Sequence, residues 1–249
     1  MNRLLRMASL AAMLFFNTYV YACQPECAGT LAYQAYGNTE NPKSIVVFMH
    51  GAVSSGGPAD YMYSYARRFA INHPDVVAIA LLGPGYFDRD GKRSQGSDAN
   101  RRLADDTDPI IGALEYFSTQ YKTQKIYVLG HSKGAMNMAG ILGKKPGLIT
   151  AAVLVAGVYD LHALAAYRNR GQSGIQGIDL VSKISKETKI VLVHGDADRD
   201  VPIAQSIAYD KKARNAGLSS QLITLQGQGH NFSGQVSKSA IEQLVLLIQ

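Results

Sequence analysis

The chain has 249 residues, 47% hydrophobic and 18% charged, enough to bury the core of one large α/β domain without requiring a second. Twenty-five basic residues against 19 acids give a formal charge of +6, but the basic residues are scattered, Trp is absent and the 14 tyrosines follow no base-stacking pattern, which argues against nucleic acid as a partner. The 24 glycines form no repeat.

At the amino end, Arg3 and Arg6 precede the apolar stretch Met7 to Phe16, and Val20 and Ala22 match the small-residue pattern of a signal cleavage site. Residues 1–22 read as an export signal and 23–249 as the mature domain, bound for the periplasm or the exterior. Cleavage removes two arginines and no acid, leaving +4. Cys23 and Cys27 then stand at the new terminus, where an oxidising compartment would preserve a disulfide; closing so short a loop stabilises by about 2 kcal/mol at most. A rival reading takes Val20-Tyr21-Ala22-Cys23 as a lipoprotein box with a lipid anchor on Cys23, although Tyr21 stands where a small residue is usual. No Cys/His cluster has metal-ligand spacing, and no metal or cofactor is expected. No later segment supplies the roughly 20 apolar residues of a membrane span.

Beyond the signal, short β-branched runs alternate with helical segments. The expected strands are Ser44 to Phe48, Val76 to Leu82, Lys125 to Leu129, Ala151 to Val155, Lys189 to Val193 and Gln221 to Leu225. Their continuous apolarity suits strands buried on both faces. Between them, Ala59 to Asn72, Ala99 to Gln120, Ala135 to Lys145, Pro202 to Ala216 and Gln235 to Ile248 read as helices, with Pro202 at a permitted first-turn position. The alternation implies an α/β domain with a mostly parallel sheet of about seven strands flanked by helices. Gly83 to Asp98 and Leu161 to Lys186 lack periodicity and read as loops at carboxyl strand ends, where ligand sites form. Gly83-Pro84-Gly85-Tyr86-Phe87 lacks the remaining residues of a phosphate loop and reads instead as a bend over the pocket. Tyr86, Phe87 and Tyr159 are the expected pocket walls.

The strand ending at Leu129 runs into Gly130-His131-Ser132-Lys133-Gly134, and a helix follows. This is G-x-S-x-G in the strand-turn-helix context of a nucleophile elbow: the turn is too tight for bulk beside Ser132, and its strain lifts the hydroxyl above the sheet. A serine hydroxyl is a weak nucleophile without a base. In the chain order nucleophile, acid, histidine, His230 is the one histidine of six downstream of a plausible acid at a strand end. The acid is one of Asp196, Asp198 and Asp200, with Asp160 as a rival after the preceding strand.

The run His194-Gly195-Asp196-Ala197-Asp198-Arg199-Asp200-Val201-Pro202 is similar to the acid loop of the α/β-hydrolase superfamily, in particular its esterase and dienelactone-hydrolase-like members. Matched residue by residue, the resemblance puts the acid on Asp198 and leaves Asp196 and Asp200 as capping or solvated residues. His50-Gly51-Ala52-Val53 likewise resembles the family's oxyanion loop. That implies backbone N–H donors at Ala52 and Lys133, with His50 pinning the loop. Lys133 departs from the family pattern, and two readings stay open: a side chain bent toward solvent or an acidic neighbour, or attraction of an anionic substrate. The short stretch between Asp160 and Lys189 leaves room for a small cap only.

The function implied is hydrolysis of a carboxylic ester or related small acyl compound through an acyl-Ser132 intermediate. The same triad serves peptidases and amidases, and a catalytically silent binding protein is the alternative from another class.

Overall fold

The computed structural model describes residues 27–54, 56–96, 105–164 and 174–249. The expected export signal, its cleavage site and the Cys23–Cys27 pairing fall outside these residues. Strands β1 (Cys27–Ala28), β2 (Leu31–Gly37), β3 (Ser44–Met49), β4 (Val76–Leu81), β5 (Ile126–His131), β6 (Ala151–Val155), β7 (Lys189–Gly195) and β8 (Ser219–Leu225) form one sheet in the order β1-β2-β4-β3-β5-β6-β7-β8. From β3 onward every pairing is parallel, while β2 runs antiparallel to β4 and carries the two-residue β1 at its edge.

Helices α1 (Tyr61–Asn72), α2 (Thr107–Tyr121), α3 (Lys133–Lys144), α4 (Ala204–Asn215) and α5 (Gly234–Ile248) cover the two faces. Strand alternation sorts the core between them. On β3, Ile45, Val47 and Met49 join α2, α3 and α4, whereas Val46 and Phe48 join α1 and α5. Every residue of β3, β4, β5 and β6 is buried, which is why these strands read as unbroken apolar runs. Burying each Val, Ile or Leu stabilises by about 1.5–3 kcal/mol. The helices follow the 3.6-residue period: Val236, Ala240 and Leu244 recur at four-residue steps on the buried face of α5.

β1, β2 and part of the stretch after Leu161 differ from the sequence-based expectation. β2 was not anticipated, because Leu31–Gly37 mixes Ala, Gln and Tyr and is buried only in its first half, having a single long neighbour. The stretch Leu161 to Lys186 is not wholly irregular: Gly177–Lys183 forms a 3-10 helix, and residues 175–180 pack on α3 where Gly140 and Gly143 leave room for Ile175 and Leu180. Residues 165–173 lie outside the described set. α2 is seen from Thr107, with Pro109 in its first turn where no intrahelical donor is needed; residues 99–104 of the expected helix are not described. Among the described residues no helix is long and apolar enough to cross a membrane.

Candidate active site

The parallel register brings Met49, Gly130 and Leu81 level, so the loops leaving β3, β4 and β5 share one edge of the sheet. At the end of β5 the chain turns into α3 through Ser132, whose φ of 53° and ψ of −115° put a non-glycine residue in a strained conformation. The glycines on either side are required by contact. A methyl on Gly130 would lie 2.7 Å from the Gly134 carbonyl carbon, and one on Gly134 would lie 2.6 Å from the Met49 carbonyl oxygen. The helix must start against β3 for the serine to stand clear, and only glycine permits that approach.

The loop after β8 brings His230 to the serine. Its Nε2 lies 3.0 Å from Ser132 Oγ and its Nδ1 2.8 Å from Asp198 Oδ2, on the loop after β7. A carboxylate only accepts, so Nδ1 carries the proton and the Nε2 lone pair faces the serine hydroxyl. Asp160, the rival acid, lies beyond the carboxyl end of β6, where its Oδ1 accepts the Ala163 N–H.

Asp198 has further donors. Oδ1 accepts the backbone N–H groups of Asp200 and Val201, both at 2.9 Å, and His194 Nε2 lies 3.2 Å from Oδ2. Burial alone would raise the carboxyl pKa, but the hydrogen bonds from His194, His230 and Val201 outweigh it and hold the group well below the usual carboxylate range. His194 is itself fully buried, with Nε2 also directed at the Val201 carbonyl and Nδ1 accepting from Ser206 Oγ. His194 stands before the acid in the chain, so the order nucleophile, acid, histidine does not point to it.

On the facing side, Gly51 comes so near the elbow that a methyl there would sit 2.9 Å from Ser132 Cβ. Its N–H donates to Tyr61 Oη at 2.5 Å, so the next amide along the loop is that of Ala52. His50 is buried and pins this loop: Nδ1 donates to the Gly51 carbonyl at 2.7 Å while Nε2 accepts the Gly83 N–H at 2.9 Å. The Lys133 backbone N–H opens α3, where the first amides have no partner within the helix. The Lys133 side chain turns away into the protein, its Nζ 2.6 Å from Asp106 Oδ2 with both side chains 5% exposed or less. The acidic-neighbour reading is the one the structure supports.

Ser132, His131 and His230 open into a cleft of about 730 Å³ walled by Ala52, Tyr61, Tyr65, Arg89 and Phe232. The loop after β4 does supply a wall, but through Arg89, whose guanidinium pairs in a fork with Asp60 at 2.7 and 3.1 Å. The aromatic residues expected there do not line the cleft. Tyr86 is 4% exposed and packs edge-on against His50, because the tight bend at Gly83 folds the ring inward. Phe87 lies under the Arg93 guanidinium in a small bridge. Tyr159 is fully buried and stacks on Tyr209 of α4. Tyr61 and Arg89 carried no sequence signal, since both reach the site from elements whose neighbours are unremarkable in pattern.

The sequence matches the model of the prolyl oligopeptidase family over residues 99–246, a span that holds Ser132, Asp198 and His230 but begins after the His50–Gly51 loop. Among curated proteins none matches the sequence. Solved structures with the same fold include a propionate-bound esterase of Thermogutta terrifontis, 19% identical, with a TM-score of 0.66 over 88% of this chain and 87% of that one. A ferulic-acid-bound esterase of Butyrivibrio proteoclasticus is 18% identical, with a TM-score of 0.64 over 90% of this chain and 97% of that one. Dipeptidyl peptidase 4 of Porphyromonas gingivalis is 14% identical, with a TM-score of 0.66, and matches 88% of this chain but 33% of its own.

Proposed function

The chain belongs to the prolyl oligopeptidase family and is a serine hydrolase of the α/β-hydrolase fold, and from this premise we propose that it cleaves a small carboxylic ester through an acyl-Ser132 intermediate. The observation that carries the proposal is the hydrogen-bonded line from Ser132 through His230 to Asp198 at the floor of an open cleft.

His230 Nε2 takes the Ser132 proton as Oγ attacks the ester carbonyl carbon. The negative charge that develops on the carbonyl oxygen meets the backbone N–H groups of Ala52 and Lys133. Collapse expels the alcohol, which receives its proton from His230. Water, deprotonated by the same ring, then attacks the acyl-serine and releases the acid. Asp198 keeps Nδ1 protonated and stabilises the imidazolium between these steps. In this reading the enzyme acts after export, on the strength of Arg3 and Arg6 before the Met7 to Phe16 stretch.

An ester is favoured because the two esterases resemble this chain over nearly their whole length. A peptide or amide bond is the second reading, favoured by the family match itself. Purified protein tested on p-nitrophenyl esters of graded acyl length and on aminoacyl p-nitroanilides decides between them. Turnover of short esters that vanishes in Ser132→Ala is the expected result; anilide turnover exceeding ester turnover would reverse the order, and activity retained by Ser132→Ala would end both readings.

A further inference from the structure

Three hydrogen bonds connect the two sides of the cleft. Gly51 N–H donates to Tyr61 Oη at 2.5 Å, Tyr61 Oη lies 2.7 Å from His131 Nδ1, and His131 Nε2 lies 2.8 Å from the His230 carbonyl oxygen. Their direction is determined by what each group can do. The His230 carbonyl only accepts, so His131 carries its proton on Nε2 and leaves Nδ1 as an acceptor. Tyr61 must then give its hydroxyl proton to His131, and its oxygen receives the Gly51 amide. The strap thereby runs in one sense through four elements: the loop after β3, the start of α1, the end of β5 and the loop after β8.

Gly51 is held a second time, at its next peptide unit. His50 Nδ1–H holds its carbonyl at 2.7 Å. Because a trans peptide is planar, the carbonyl of Gly51 and the N–H of Ala52 belong to one rigid unit and point in opposite directions. Holding the carbonyl on the His50 side therefore aims the Ala52 N–H away from it, and Tyr61 holds the preceding amide so that the unit cannot swing. His50 and His131 are 2% and 7% exposed, and the partly buried Tyr61 ring, which also walls the cleft, lies edge-on between theirs at 6.4 and 6.0 Å.

We propose that Tyr61 and His131 are positioning residues that set the Ala52 oxyanion donor and the His230 base by one continuous strap. This rests on the acyl-transfer reading of Ser132, His230 and Ala52 given above. Neither residue is hydrogen-bonded to Ser132 among the described contacts, yet both ends of the strap terminate on the backbone of a loop that does the chemistry. A rigid donor matters because stabilisation of a developing oxyanion depends on alignment that is already in place when the charge forms.

The test is Tyr61→Phe, which keeps the ring and its packing and removes only the hydroxyl, leaving the Gly51 N–H and His131 Nδ1 without that partner. Expected is a fall of about ten- to a hundredfold in kcat with KM changed less than twofold and the thermal midpoint moved by only a few degrees. The affinity of a trifluoromethyl ketone, which forms the tetrahedral adduct, should fall by the same factor as kcat/KM, a correlation that a merely structural role would not produce. His131→Phe should cost a similar factor, and adding Tyr61→Phe to it should cost little more, because the two act as one unit. Should His131→Phe fail to fold, Tyr61→Phe still decides. Wild-type kcat/KM in Tyr61→Phe, or a loss borne by KM with ketone affinity intact, overturns the strap. If Ser132→Ala is inactive while Tyr61→Phe is wild-type, the strap alone fails; if Ser132→Ala keeps turnover, the acyl-serine reading fails first.

Discussion

His194 and His230 share one oxygen of Asp198: the Oδ2 atom lies 3.2 Å from His194 Nε2 and 2.8 Å from His230 Nδ1. With Oδ1 taken by two backbone N–H groups, the carboxylate is held on four sides and has one orientation. Asp198→Asn keeps the shape but offers His230 an amide that can turn its donor toward Nδ1 and favour the wrong tautomer. Its kcat should fall by about 10⁴, whereas Asp160→Asn should stay within about twofold. Steady-state ester kinetics on the two variants decide the assignment; equal losses would contradict it.

The Lys133–Asp106 pair is nearly dry, at 5% and 1% exposure. Removing one member of such a pair leaves the other's charge buried without that counter-charge, which typically costs about 3–5 kcal/mol. Asp106→Ala should therefore lose about that much in urea unfolding at pH 7, while Lys133→Met with Asp106→Leu should recover most of it. A loss under about 1 kcal/mol in the single variant would mean that Lys133 finds water instead.

Burial lowers the pKa of both His50 and His131 from 6.5 to about 4. Both rings are thus neutral when folded at pH values where the unfolded chain protonates them. Between about pH 6.5 and 4 the unfolded state binds more protons, so stability should fall as the pH drops through this window and level off above it. His73, lowered by partial burial, adds in the same direction. Below about pH 4 the depressed carboxyl of Asp198 adds a further loss. Urea midpoints taken every half pH unit should show the slope, weakened in His131→Phe; a flat profile from pH 7 to 4.5 would contradict the buried neutral histidines.

Much of the architecture was legible in the chain because the central strands are buried on both faces and leave an unmistakable apolar signature, Ala151–Val155 with its bounds as read. The elbow at Ser132 was legible for a different reason: Gly130 and Gly134 are demanded by backbone contact, and such demands show in sequence. What stayed hidden depends on distance along the chain. Tyr61 meets His131 across 70 residues, and His131 meets His230 across 99, so no local pattern records either pairing. Tyr86 and Tyr159 misled for the converse reason. Their positions beyond strand ends suggested a pocket, but large aromatic rings beside a crowded sheet edge release more free energy by burial than by lining an open cleft.

The claim that Ser132 is the nucleophile is tested most directly by finding where an active-site phosphonylating agent attaches. Protein treated with a fluorophosphonate and digested with trypsin should carry one adduct, on the peptide from Ile126 to Lys133, at Ser132. The adduct should form no faster than background in Ser132→Ala and much more slowly when His230 is replaced by Ala. Stoichiometric labelling at any other residue, or labelling that persists in Ser132→Ala, would contradict the account.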